Sequence, residues 1–222
     1  MKTIKDLINT KKGRIGLVIC AGSSIKEYKK EIDEYIKINK PVTIGINNIS
    51  HLYIPEYHLW TNTSRFRNFG KNINPKSKIL LGSNISIKVI KEVIGNKDYT
   101  LINYTDKPEI QLDYRKGKIF GFYRTAGCLA IMILKIMGVN EVNIVGMDGY
   151  SLYDEKDLLN KEKSHHCYGE GFTDTASWET CIKKDKLIND IVLKNLRNYG
   201  LNFKILTPTK YEEFHDSTRL YI

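Results

Sequence analysis

The sequence predicts an α/β fold: a mostly parallel sheet with helices on both faces and a polar lid segment. Two observations carry that expectation. Apolar runs of four to seven residues alternate with longer stretches of helical period, as in successive strand–helix units. The first strong run, Ile15 to Cys20 (IGLVIC), is apolar throughout rather than alternating, as a strand covered on both faces must be.

The elements follow in order. Met1 to Lys12 reads as a short amphipathic helix with Ile4, Leu7 and Ile8 on one side. After the strand at 15–20, Ala21-Gly22-Ser23-Ser24 forms a turn and Ile25 to Ile38 a helix. Val42 to Ile46 and Tyr57 to Thr61 are the second and third strands. Lys78 to Leu81 and Tyr99 to Asn103 are two more, with a helix over Ile85 to Ile94 between them. Thr125 to Met137 is a helix apolar nearly all round, hence buried, and Gly138 closes it. Glu141 to Val145 is an interior strand. Gly149 to Asp174 is polar, too long for a mere connector, and reads as the lid, at about 149–175. A helix from Ala176 to Tyr199, a strand from Asn202 to Leu206 and a short terminal helix complete the chain. No repeat or linker interrupts it. The expectation is one Rossmann-like domain over 1–222.

Composition bounds the function. The net charge is +10, with 35 Lys and Arg against 25 Asp and Glu, which suits an anionic partner. No tight basic cluster with interleaved aromatics argues for nucleic acid. No apolar run reaches the roughly 20 residues of a membrane span. The four cysteines, Cys20, Cys128, Cys167 and Cys181, show no CxxC pair; Cys20 and Cys128 read as small buried hydrophobes, and a reduced, cytoplasmic setting is expected.

In open parallel sheets ligands bind beyond the carboxyl ends of the strands. Small hydrogen-bonding residues follow four strands here: Gly22-Ser23-Ser24, Asn47-Asn48, Asn62-Thr63-Ser64 and Gly146-Met147-Asp148. The first of these offers N–H groups and hydroxyls at a helix start, a natural anion site. It lacks both the GxGxxG pattern and the Walker lysine, which disfavours a dinucleotide dehydrogenase or a P-loop enzyme. Arg124-Thr125-Ala126-Gly127 opens the buried helix, with Thr125 as N-cap and first-turn N–H groups able to hold a phosphate. The lid carries Tyr150, Tyr153, His165, His166 and Glu170. The tyrosines suit a leaving phosphate, and His166 or Glu170 a general base. His165, His166 and Cys167 could suggest zinc, but three adjacent residues do not readily face one ion.

The ordered set strand–AGSSI–helix, strand–INN, strand–WTNTS and TAG–helix–G–strand–GMDGY, followed by a His-rich loop, resembles the bacterial sialyltransferases of the Campylobacter type. It also resembles the related 6-hydroxymethylpterin diphosphokinases and motility accessory factors. The likeness runs from about Arg14 to Pro208. It implies that Gly22, Ser23, Asn47 and Asn62 line a cytidine monophosphate site; Ser24 and Asp148, at the same strand ends, are expected nucleotide-binding residues by their position. It further implies that Thr125, Ala126 and Gly127 lie along the donor and that Tyr150 and Tyr153 stabilise the departing phosphate. The position of the family's catalytic histidine falls near Glu170, with His166 one helical turn earlier.

The activity implied is a metal-independent glycosyltransferase with a nucleotide-sugar donor, a glycan acceptor and no resident cofactor. The diphosphokinase branch implies ATP and magnesium instead; it would use Asp148, but Asn62 stands where a second carboxylate is wanted. A nucleotide- or glycan-binding module without catalysis is the third reading. Self-association is implied by the resemblance, and the sequence leaves open whether the basic surface meets a membrane.

Overall fold

The computed structural model describes residues 2–152, 166–167 and 177–221. Its strands are β1 (Lys2–Thr3), β2 (Ile15–Ile19), β3 (Val42–Ile46), β4 (Tyr57–Trp60), β5 (Lys78–Gly82), β6 (Tyr99–Ile102), β7 (Asp113–Arg115), β8 (Lys118–Phe120), β9 (Glu141–Val145) and β10 (Phe203–Ile205). Among the described residues, eight form one sheet in the order β1-β6-β5-β4-β3-β2-β9-β10. Every neighbouring pair in it runs parallel. The α/β, mostly parallel architecture is therefore as the sequence predicts.

The helices are α1 (Ser24–Glu27), α2 (Lys29–Asn39), α3 (Thr63–Phe69), α4 (Ile87–Ile94), α5 (Ala126–Ile136), α6 (Trp178–Leu187) and α7 (Lys194–Asn198). They lie on both faces because the strands bury both. On β2, Val18 joins the core under α5 while Leu17 and Ile19 join the core under α1 and α2. On β5, Leu80 faces the α5 side and Ile79 and Leu81 pack with Phe66 of α3 and Ile90 of α4. This period-two division between two apolar layers is what makes the strand runs apolar throughout. α5 is buried from Gly127 to Leu134 and lies over the middle strands.

Several elements depart from the sequence expectation. The amino terminus is not an amphipathic helix: Lys2–Thr3 adds to the sheet edge beside β6, and a 3-10 turn covers Ile4–Leu7. Ile4 and Leu7 are buried, but Ile8 is 43% exposed. The helix expected over 25–38 breaks at Tyr28 (φ −100°, ψ 24°) into α1 and α2. The stretch after β4 forms α3, capped by Asn62, whose Oδ1 accepts from Arg65 N–H at 2.9 Å. β7 and β8 form an antiparallel hairpin through Lys116 (φ 51°) and Gly117 (φ 79°). Two successive positive φ values at a two-residue loop match the twist of paired strands. The helix expected over 176–199 carries a π-helical stretch at Ile188–Leu193 between α6 and α7. Among the described residues, no helix is long and apolar enough to cross a membrane.

Candidate active site

The strand order reverses between β2 and β9: β3 to β6 lie on one side of β2, β9 and β10 on the other. Chains leaving two such strands diverge and open a crevice at their carboxyl ends. A cleft of about 630 Å³ lies there, within the usual ~300–1,000 Å³ of small-molecule sites.

Close backbone approach shapes its floor. Gly22 N–H donates to the Gly146 carbonyl at 3.0 Å. A Cβ on Gly22 would meet that carbonyl and the Asp148 carboxyl at 2.5 Å. Gly146 itself holds φ +73°, where glycine alone is unstrained. The first turn also holds the segment carrying His166. Gly22 and His166 form an isolated antiparallel bridge, and Cys167 N–H donates to the Ala21 carbonyl at 2.9 Å.

The expected residues divide into three groups. Gly22, Asn47, Asn62, Thr125, Ala126, Gly127, Asp148, Tyr150 and His166 all line the one cleft. Tyr153, Glu170 and His165 lie outside the described residues. Ser23 and Ser24 are not among the lining residues. Ser24 is fully buried; its hydroxyl donates to Asp148 Oδ1 at 2.5 Å and its N–H to Oδ2 at 3.0 Å. This corrects the reading of Gly22-Ser23-Ser24 as an anion site. The protein's own Asp148 carboxylate already takes the position at the start of α1 that an incoming anion would need.

The start of α5 is different. Thr125 Oγ1 accepts from Cys128 N–H at 3.2 Å, leaving the first-turn N–H groups of Ala126 and Gly127 without intrahelical acceptors. They line the cleft, at the positive end of an 11-residue helix. Gly127 allows this close seat: a Cβ there would lie 2.7 Å from Cys20 Sγ and 2.8 Å from Met147 Cε. Just before it, Thr125 N–H donates to the Tyr123 carbonyl at 2.6 Å, with Arg124 between them at φ +60°. A tight turn through a non-glycine residue at positive φ is strained. Asp106 holds it by accepting from both Tyr123 and Arg124 N–H, at 2.8 and 3.1 Å. Arg124 is among the residues that line the cleft.

The sequence reading did not single out Arg65, Lys184, Asp185 or Tyr211. Arg65, Lys184 and Tyr211 line the cleft. Arg65 donates to His166 Nε2 at 3.0 Å; a guanidinium has no acceptor, so Nε2 presents its lone pair. Lys184 Nζ lies 4.9 Å from the centre of the Tyr150 ring. Asp185 is buried and accepts from Tyr150 N–H (2.8 Å), Ser151 N–H and Oγ–H (both 2.7 Å) and Tyr211 O–H (2.9 Å). Burial and the Asp185 carboxylate together hold the Tyr211 phenol far above its ordinary range, so it stays a donor. Arg65 comes from α3, Lys184 and Asp185 from α6, and Tyr211 from the segment after β10; their convergence on the cleft is set by the fold and not by local sequence.

Asn47 has φ +56° and is 8% exposed; its amide Oδ1, within a cleft-lining residue, has no hydrogen-bond partner among the described residues. A buried acceptor without a donor costs about 1–3 kcal/mol, a debt that a ligand N–H or O–H would cancel. Its backbone is held from below by His58, whose Nε2 donates to the Asn47 carbonyl. Burial pushes the His58 imidazolium down to about 4, only partly offset by that carbonyl. His58 thus binds its proton less readily folded than unfolded, where a histidine titrates near 6.5. Stability is full above about pH 6.5 and falls as pH drops towards 4, by about 3 kcal/mol from this group. Urea unfolding of the wild type and of His58→Gln should show the gap between them narrowing by about that amount from pH 7 to pH 4. Parallel curves would show that His58 does not carry the loss.

The four cysteines are buried. Burial raises the thiols of Cys128 and Cys167 to about 12, which suits packing and not nucleophilic work. Among the described residues, no group of histidines, cysteines and carboxylates is arranged for a metal ion.

The sequence matches no protein-family model and no curated protein. A crystal structure of a mammalian sialyltransferase in complex with Gal-beta-1-3GalNAc-ortho-nitrophenol is similar over 88% of this chain and 70% of that one, at 10% identity and a TM-score of 0.40.

Proposed function

We propose that this cleft is the donor site of a metal-independent glycosyltransferase that uses a nucleotide-activated sugar, a cytidine monophosphate sugar first among them. The observation that carries the reading is the union, in one cleft, of an anion-receiving end and a buried amide oxygen lacking a donor. A nucleoside monophosphate has the complementary parts: a phosphate, and a base and ribose bearing N–H and O–H groups. The ordered sequence motifs point the same way.

The charge balance supports a route without a metal. Among the described residues that line the cleft, Arg65, Arg124 and Lys184 are cationic and Asp148 alone is acidic. Asp148 is already committed to Ser24, which disfavours the magnesium-dependent diphosphokinase reading. In the proposed reaction, His166 takes the proton of the acceptor hydroxyl. The acceptor oxygen bonds to the anomeric carbon as the bond from that carbon to the phosphate oxygen breaks, and the electron pair leaves with the phosphate. First-turn N–H groups of α5 and the Arg124 and Lys184 cations meet that charge.

Thermal unfolding tests this. A ligand at a hundred times its Kd stabilises the fold by about 2.7 kcal/mol. CMP is expected to raise Tm equally with EDTA and with magnesium, and Arg124→Ala to weaken it by about tenfold or more, as loss of a charged hydrogen bond does. Stabilisation by ATP only with magnesium, or by no nucleotide, sinks the proposal.

A further inference from the structure

A parallel sheet puts every strand start at one end, so the loops entering the strands form a surface opposite the cleft. On those loops stand Lys11, Lys12, Arg14, Lys40, Lys76 and Lys97. Asp6, Glu56, Asp98 and Glu141 are acids at this end; Glu56 is shared between Lys11 at 2.7 Å and Lys78 at 3.3 Å, and Glu141 pairs with Arg219. The helical flank is not so biased: on α2, Lys29, Lys30 and Lys37 are matched by Glu31, Asp33 and Glu34. The same end exposes apolar side chains. Ile8, at the approach to β2, is 43% exposed; Ile38, at the end of α2, 55%; and Ile54, before β4, 56%.

From this end we infer a membrane-docking surface, its occupant a bilayer rich in anionic lipid. The lysines lie against the headgroup charge, and Ile8, Ile38 and Ile54 enter the boundary below it. Cations alone would fit any polyanion; isoleucines set among them fit a surface with an apolar layer beneath its charge. Docked this way, the cleft faces the aqueous side. The inference rests on the distribution of surface residues and stands apart from the chemistry of the cleft.

Co-sedimentation with phosphatidylcholine vesicles, with and without phosphatidylglycerol, tests it. Binding is expected only with phosphatidylglycerol, and it should weaken as salt rises. The triple variant Lys12→Glu, Lys76→Glu, Lys97→Glu should lose about a hundredfold in partitioning, from about fivefold per basic residue. Ile8→Ser with Ile54→Ser should lower vesicle binding severalfold while leaving retention on heparin unchanged. All these residues are exposed and remote from the cleft, and thermal unfolding of each variant without ligand serves as the check on folding. Equal binding to neutral vesicles, or none to anionic ones, overturns the inference. So does a triple variant that binds as wild type. Isoleucine variants that bind vesicles fully would show a polyanion site in place of a bilayer one.

Discussion

Replacing His166 with alanine is expected to lower kcat by about 10²–10⁴-fold, the usual contribution of a positioned general base, while the KM for the donor moves little. The residue lines the cleft, and its backbone is pinned to the first turn by the bridge to Gly22. The next residue is pinned too: Cys167 N–H reaches the Ala21 carbonyl and His51 Nε2 lies 3.2 Å from the Cys167 carbonyl. With Arg65 donating to it, Nε2 carries no proton of its own. In the proposed reaction, the donor phosphate would draw Arg65 away and leave the imidazole lone pair to the acceptor hydroxyl. Steady-state kinetics on His166→Ala and Glu170→Ala decide the matter. A large kcat loss on Glu170→Ala with none on His166→Ala would move the base to Glu170.

The second large effect concerns stability. Asp185→Ala is expected to cost about 3–5 kcal/mol, because four donors converge on one buried carboxylate. Each buried donor left without an acceptor costs about 1–3 kcal/mol, and partial hydration recovers some of that. The effect should reach the cleft, since Asp185 ties α6 to Tyr150 and Tyr211, both lining residues. Asp185→Asn keeps the shape but turns an NH₂ towards some of the donors, so an intermediate loss follows. Urea denaturation measures both; an alanine variant within about 0.5 kcal/mol of wild type, the range of ordinary surface changes, would show that the cluster does not stabilise the fold.

Much of this was legible in the sequence because burial on two faces leaves an unbroken apolar run. β2, β3 and β9, with α5 between β8 and β9, fall within a residue or so of the expected bounds. β1 was not legible: two residues, Lys2 and Thr3, carry no pattern, and only the neighbouring β6 makes them a strand. α3 was not legible either: TSRFRNF buries only Phe66, too little for an apolar stripe. The hairpin had a signal in Lys116-Gly117, but its strands are three residues each.

The same division runs through the site. Residues that trail strands could be placed from order alone, and four of them, Gly22, Asn47, Asn62 and Asp148, line one cleft. What order could not reveal was which polar groups spend their hydrogen bonds on the protein. Ser24 and Asp148 satisfy each other across 124 residues, and Asp185 meets Tyr150 across 35. The cations came from elements whose positions only the folded chain defines.

A crystal structure of the protein with CMP would bear most directly on the claim that one cleft receives a nucleoside phosphate. The phosphate should accept from the N–H groups of Ala126 and Gly127, with a ribose hydroxyl or base N–H donating to Asn47 Oδ1. A nucleotide bound away from this cleft, or one with its phosphate against Ser23 and Ser24, would contradict the account.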